Sequence, residues 1–94
     1  MASGSAVGGS GPEAQAAVLL AKQELSLKLA FEPEAIRLIS AEAVEWRDAS
    51  LGCPQPGMMY AQVIIPGFRV TLAAAGKEYE YHTDQGRNAV LCGE

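Results

Sequence analysis

From residue 14 onward, apolar residues recur at helical spacing, and from residue 36 onward they alternate. Ala14, Val18, Ala21, Leu25 and Leu29 fall on one face of a 3.6-residue wheel, and Gln15, Lys22, Gln23, Ser26 and Lys28 lie largely elsewhere. Ser10-Gly11-Pro12-Glu13 supplies a start signal: a capping Ser, a Pro in the first turn and a Glu three residues after the cap. The pattern predicts an amphipathic helix from Pro12 to Ala30. It ends there because Pro33 has no backbone N–H and forces Glu32 out of helical geometry.

The two-residue period then takes over. Ile36, Leu38, Val44 and Trp46 share one parity, while Ile39, Ala41 and Ala43 lie on the other, with a bulge or an edge position expected around Ser40 to Glu42. Met59, Ala61, Val63 and Ile65 alternate with Tyr60, Gln62 and Ile64, and Pro66-Gly67 reads as a turn. Phe68, Val70 and Leu72 follow, with a turn at Ala75-Gly76-Lys77. Tyr79, Tyr81 and Thr83 come next, then a turn at Asp84-Gln85-Gly86 and a last strand from Ala89 to Cys92. Short turns joining consecutive strands give an antiparallel meander, and a lone amphipathic helix buries its apolar face on such a sheet. The expected fold is α+β: one N-terminal helix on a meander of four or five strands. Residues 1–11 are expected to form a flexible Gly/Ser-rich tail and residues 12–94 a single domain. Residues 47–58, from Arg47 to Met58, form the only long irregular stretch and the expected seat of function.

Composition sharpens this. A chain of 94 residues supports a small core with a thin stability margin. Its two cysteines, Cys53 in a turn-rich segment and Cys92 near the end, read as one disulfide tying the long loop to the last strand. Closing a loop of about 40 residues contributes about 4 kcal/mol on the chain-entropy account. A disulfide implies an oxidising, extracytoplasmic compartment, secreted or anchored through an N-terminal signal that has been removed. Two free thiols in a cytosolic protein are the alternative. The net charge of −4, with seven scattered Lys and Arg, argues against nucleic acid as a partner. No apolar run reaches the roughly 18 residues that a membrane-spanning helix needs.

Candidate chemistry is sparse. The soft donors Cys53, Cys92, Met58, Met59 and the single histidine, His82, lack metal-ligand spacing, so no metal and no cofactor are expected. His82 shares its strand parity with Glu78 and Glu80, and neither Ser50 nor Thr83 lies in a nucleophile turn. Enzymatic activity is not expected, and a small enzyme or metal carrier around His82 is the alternative. The residues expected to meet a partner are Asp48, Pro54, Gln55, Pro56, Met58 and Tyr60. The stiff, tethered loop carrying them loses little entropy on binding. Trp46 is expected to anchor the core beside the disulfide.

Trp46, Asp48, Ser50-Leu51-Gly52-Cys53-Pro54, Pro56-Gly57, Tyr60, Gln62-Val63, Pro66-Gly67-Phe68 and Tyr79-x-Tyr81-His82-Thr83-Asp84 together resemble a motif of an uncharacterised family of bacterial domains. Those domains look like secreted or lipid-anchored modules. The resemblance runs from Pro12 to Cys92 and implies no activity. The arrangement of helix and meander is also similar to the PepSY and cystatin-like folds, an analogy of architecture alone. The cystatin Q-x-V-x-G turn is not met, because in Gln62-Val63-Ile64-Ile65-Pro66-Gly67 the Val comes one place early and the Gly one place late. The leading expectation is a non-enzymatic extracytoplasmic module that binds a protein or another envelope component. The alternative is a protease-inhibitor-like domain using the same loop.

Overall fold

The computed structural model describes residues 11–93. The helix α1 spans Pro12–Leu29, a short 3-10 turn spans Pro33–Ala35, and four strands come after it: β1 Arg37–Trp46, β2 Ile65–Ala74, β3 Lys77–Thr83 and β4 Ala89–Gly93. They form one antiparallel sheet in the order β1-β2-β3-β4, so the α+β meander stands, with four strands. Ser10, the expected cap, lies outside the described residues, as do residues 1–10 of the expected tail. Gly11 occupies the N-cap position with Pro12 in the first turn. At the other end Ala30 takes a left-handed φ of 59° and closes the helix one residue before the expected end.

The helix meets the sheet through small residues. Ala14, Ala17, Ala21 and Leu25 are buried, and Val18 and Leu29 pack at the margin. An alanine stripe lets the helix axis approach Val70, Leu72, Tyr79 and Tyr81 of β2 and β3 closely, and Ile36 closes the core beside it. Leu19 and Leu27 point to solvent, so the apolar residues are less cleanly segregated than the wheel suggests.

The parity of β1 switches part-way along. Leu38 pairs with Leu72 and Ser40 with Thr71, which leaves Ile39 as the extra residue of a bulge, just before the expected position. Ile36 before the bulge and Ala41 after it therefore both face the helix, while Trp46 faces the opposite side of the sheet. The expected strand over Met59 to Ile65 does not form: β2 begins at Ile65, and Pro66 and Gly67 lie inside it, opposite Glu45 and Val44. They are not a turn. The β2–β3 ladder starts at Phe68, opposite Thr83, so Pro66 sits where β2 has a neighbour on one side only. Such edge-like positions tolerate proline. The long irregular connection consequently runs over residues 47–64 rather than 47–58.

The two remaining turns match their sequence. Ala74 pairs with Lys77, so Ala75 and Gly76 make a two-residue hairpin loop, both with positive φ, 54° and 79°. The β3–β4 loop is organised by Asp84. Its Oδ1 accepts from the backbone N–H of Arg87 (2.8 Å) and of Asn88 (2.9 Å), and its Oδ2 accepts from Asn88 Nδ2 (2.7 Å). Partial burial pushes this carboxyl up, but the hydrogen bonds from Asn88, Arg87 and Gly86 together hold it below the ordinary value of 3.8. A carboxylate so depressed contributes stability that is present above 3.8 and is lost as the pH falls through its lower folded-state value. The thermal midpoint is therefore expected to drop on acidification through and below that region. Asp84→Ala should lower the midpoint at neutral pH and flatten the acid limb, and an unchanged acid limb would assign the effect to other groups.

Candidate functional site

Trp46 projects from the end of β1 onto the face opposite α1. Its indole crosses β2 above Gly67, and Nε1 donates to the Thr83 carbonyl at 2.9 Å, a buried bond. A side chain at position 67 would block this path: a Cβ there would stand 1.9 Å from the Thr83 oxygen and 2.8 Å from the indole nitrogen. The ring stacks on His82 of β3, with centroids 4.4 Å apart and planes at 21°. His82 Nδ1 lies 2.7 Å from the Leu51 carbonyl and Nε2 lies 2.6 Å from Glu80 Oε2. The Leu51 carbonyl accepts only, so Nδ1 donates there. Histidine, tryptophan and loop thus form a second, smaller core on the back of the sheet, which the strand parity of His82 alone does not show.

The loop settles on this core by local turns. Asp48 accepts from the Ser50 hydroxyl and from the Ser50 N–H, the latter at 2.9 Å, and these bonds hold its carboxyl below the usual range. Leu51 N–H donates to Asp48 O, and Cys53 N–H to Ser50 O. Leu51 and Gly52 both take positive φ, and Leu51 is buried. A Cβ on Gly52 would come within 2.9 Å of the indole carbons, so this position needs glycine both for its backbone angle and for the contact. Cys53 then bonds to Cys92, with Cα atoms 5.9 Å apart. Cys92 is the extra residue of a second bulge, because Glu80 pairs with Gly93 and Tyr81 with Leu91. A bulge re-aims the residue it contains, here in the edge strand that meets the loop.

Beyond the disulfide the chain turns outward. Pro54, Gln55, Pro56, Gly57, Met58 and Met59 are all exposed. Met58 N–H donates to Gln55 O at 3.2 Å, and Gln55 N–H donates to Tyr60 Oη at 3.0 Å. Ala49 N–H donates to Ala61 O at 3.0 Å, which fixes the outgoing arm against the incoming one. Of the expected contact residues, Pro54, Gln55, Pro56 and Met58 stand together on the outside. Asp48 caps a turn, and Tyr60, half-buried, braces the loop from within. The sequence pattern also draws Met59 and Val63 toward the core through the strand that does not form. In the structure Met59 is 95% exposed, Ile64 62%, Met58 60% and Val63 52%, an apolar run on a braced loop. The proline-glycine density on their N-terminal side marks a loop, but nothing in the sequence singles out these residues as its exposed ones.

His82 is closed in by Trp46, Leu51 and Glu80, and the Ser50 hydroxyl is taken up by Asp48. Among the described residues there is no group of three or more His, Cys, Asp or Glu side chains placed to hold a metal ion, and no helix long and apolar enough to cross a membrane. Residues 18–92 match the model of a family described as a domain of unknown function, DUF8738. No curated protein and no solved structure matches the chain.

Proposed function

The chain belongs to the DUF8738 family, whose description carries no activity, and we propose that it is a non-enzymatic binding module that engages a protein partner through residues 54–64. One observation carries this reading: Met58, Met59, Val63 and Ile64 are exposed on a loop pinned at both ends. Four large apolar side chains left in solvent between residues 58 and 64 give the loop a surface for contact. Methionine side chains adapt to varied apolar partners. The disulfide and the Tyr60 brace have already removed much of the freedom that the loop would lose on docking, so more of the contact energy appears as affinity. The disulfide also supports an extracytoplasmic setting, as does the resemblance to secreted or lipid-anchored bacterial domains. The partner is then another envelope or extracellular protein.

A photo-crosslinking residue at position 59 tests the proposal against the same probe at position 77, the exposed first residue of β3. A discrete adduct is expected from position 59 and not from position 77. Excess wild-type chain should compete it away, and excess Met58→Asp/Met59→Asp chain of unchanged thermal midpoint should not. Equal labelling from both positions, or competition by the aspartate variant, overturns it. The same loop supports a second reading, because its most exposed residue stands between two braced arms.

A further inference from the structure

We infer that residues 58–64 form a substrate-like strand for a serine endopeptidase with an apolar primary pocket, with Met59 entering that pocket and the Met59–Tyr60 peptide bond presented to the nucleophile. This names the partner of the loop proposed above and rests on that reading.

Three features of the segment fit such an enzyme. First, Met59 is the most exposed large apolar residue among those described. It is unbranched and flexible, as entry into a deep apolar pocket requires. Second, residues 58–64 carry no helix, turn or strand, and none of them takes a positive φ. An endopeptidase cleft receives its substrate as an extended chain added alongside its own backbone, and this segment lies in no ladder of its own, its backbone being engaged at Met58 N–H by Gln55 and at Ala61 O by Ala49. Third, three links join the chain before residue 59 to the chain after it. They are the Cys53–Cys92 disulfide, the bond from Gln55 N–H to Tyr60 Oη, and the bond from Ala49 N–H to Ala61 O.

Those links decide the fate of the attacked bond. The enzyme's serine oxygen adds to the Met59 carbonyl carbon, and its proton passes through the enzyme's base to the Tyr60 nitrogen as the C–N bond breaks. The result is an ester to Met59 and a free amine on Tyr60. In an ordinary substrate the amine diffuses away and water hydrolyses the ester. Here Tyr60 stays hydrogen-bonded to Gln55, on the acyl side of the cut, and Ala61 stays bonded to Ala49. The amine is held beside the ester at an effective concentration on the order of 10⁵ M or more for well-oriented groups. It re-attacks the ester carbonyl, the amide re-forms and the serine regains its proton. Hydrolysis by water competes slowly and gives a clipped chain that the same links hold together. The enzyme is occupied rather than turned over, so the chain acts as an inhibitor.

The test uses the full oxidised chain and two purified serine endopeptidases, one with an apolar primary pocket and one with an acidic pocket selective for Lys and Arg. Each is assayed on a small peptide substrate. Wild type is expected to inhibit the first stoichiometrically and to leave the second unaffected, with at most one bond cut, between Met59 and Tyr60. Met59→Lys, at an exposed position, should move inhibition to the second enzyme and weaken it on the first by about 100-fold, since an apolar pocket leaves a buried ammonium unpaired. Rapid digestion at several bonds without inhibition, or a Met59→Lys chain that keeps the wild-type preference, overturns the inference. If inhibition fails while the position-59 crosslink persists, the binding module stands and the endopeptidase is not its partner. If both fail, both readings fall.

Discussion

Gly67→Ala is expected to be among the most damaging single substitutions in this chain, with a loss of about 3 to 5 kcal/mol, the upper part of the range for overpacking combined with a broken buried hydrogen bond. Two neighbours make it so. The new methyl would lie 1.9 Å from the Thr83 carbonyl oxygen, a backbone atom of an adjacent strand that can retreat only by opening the β2–β3 ladder. It would also lie 2.8 Å from Trp46 Nε1, so the indole has to leave the Thr83 carbonyl, its stack on His82 and its contact with Gly52 together. Small domains rarely hold more than a few kcal/mol in reserve, so the expected measurement is a chain without a cooperative thermal transition at physiological temperature. Trp46 is the only tryptophan, and its fluorescence reports on the same place. If Gly67→Ala melts within a few degrees of wild type with unchanged emission, the indole does not cross β2 at this point.

The second large effect is expected from the disulfide. Replacing Cys53 and Cys92 together by Ala removes a link between residues 39 positions apart, worth about 4 kcal/mol on the chain-entropy account. The loss should appear in the denaturant midpoint. The double variant separates two roles. Trp46, His82 and Leu51 make their contacts without either cysteine, so the loop root should stay seated in whatever fraction remains folded. Residues 54–59 lose their tie to β4 and should become the preferred site of proteolytic nicking. A denaturant midpoint equal to that of wild type would show that the two sulfurs add nothing to the folded state.

The helix and the tight hairpin were legible in the sequence because each rests on local rules. Apolar residues at helical spacing before Pro33 demand a helix, and Ala75-Gly76 closes a two-residue loop whose second residue readily takes positive φ. The meander came from the short turns. What was not legible depends on contacts far along the chain. Pro66-Gly67 has the composition of a turn, and nothing near it in sequence shows that Trp46 needs the missing side chain of Gly67. The same tertiary demand starts β2 at Ile65 and leaves Met59, Val63 and Ile64 outside, although their alternation suits a strand. The bulge at Ile39 sends Ile36 and Trp46, which share a parity in the sequence, to opposite faces. The disulfide was readable because a small chain with two well-separated cysteines has few other uses for them. The loop's outline was visible in its prolines and glycines, and which of its apolar residues face outward was not.

Both outer strands of the sheet carry an interruption, Ile39 in β1 and Cys92 in β4. A regular, flat border invites another molecule's border to zip onto it, and repetition of that step leads to fibrils. Here each border is kinked where a second sheet would have to match it. Leu38 and Ile39 lie exposed at the first of these kinks and Met58 and Met59 on the loop, so the chain offers oily side chains to solvent while its borders resist the regular pairing by which copies polymerise.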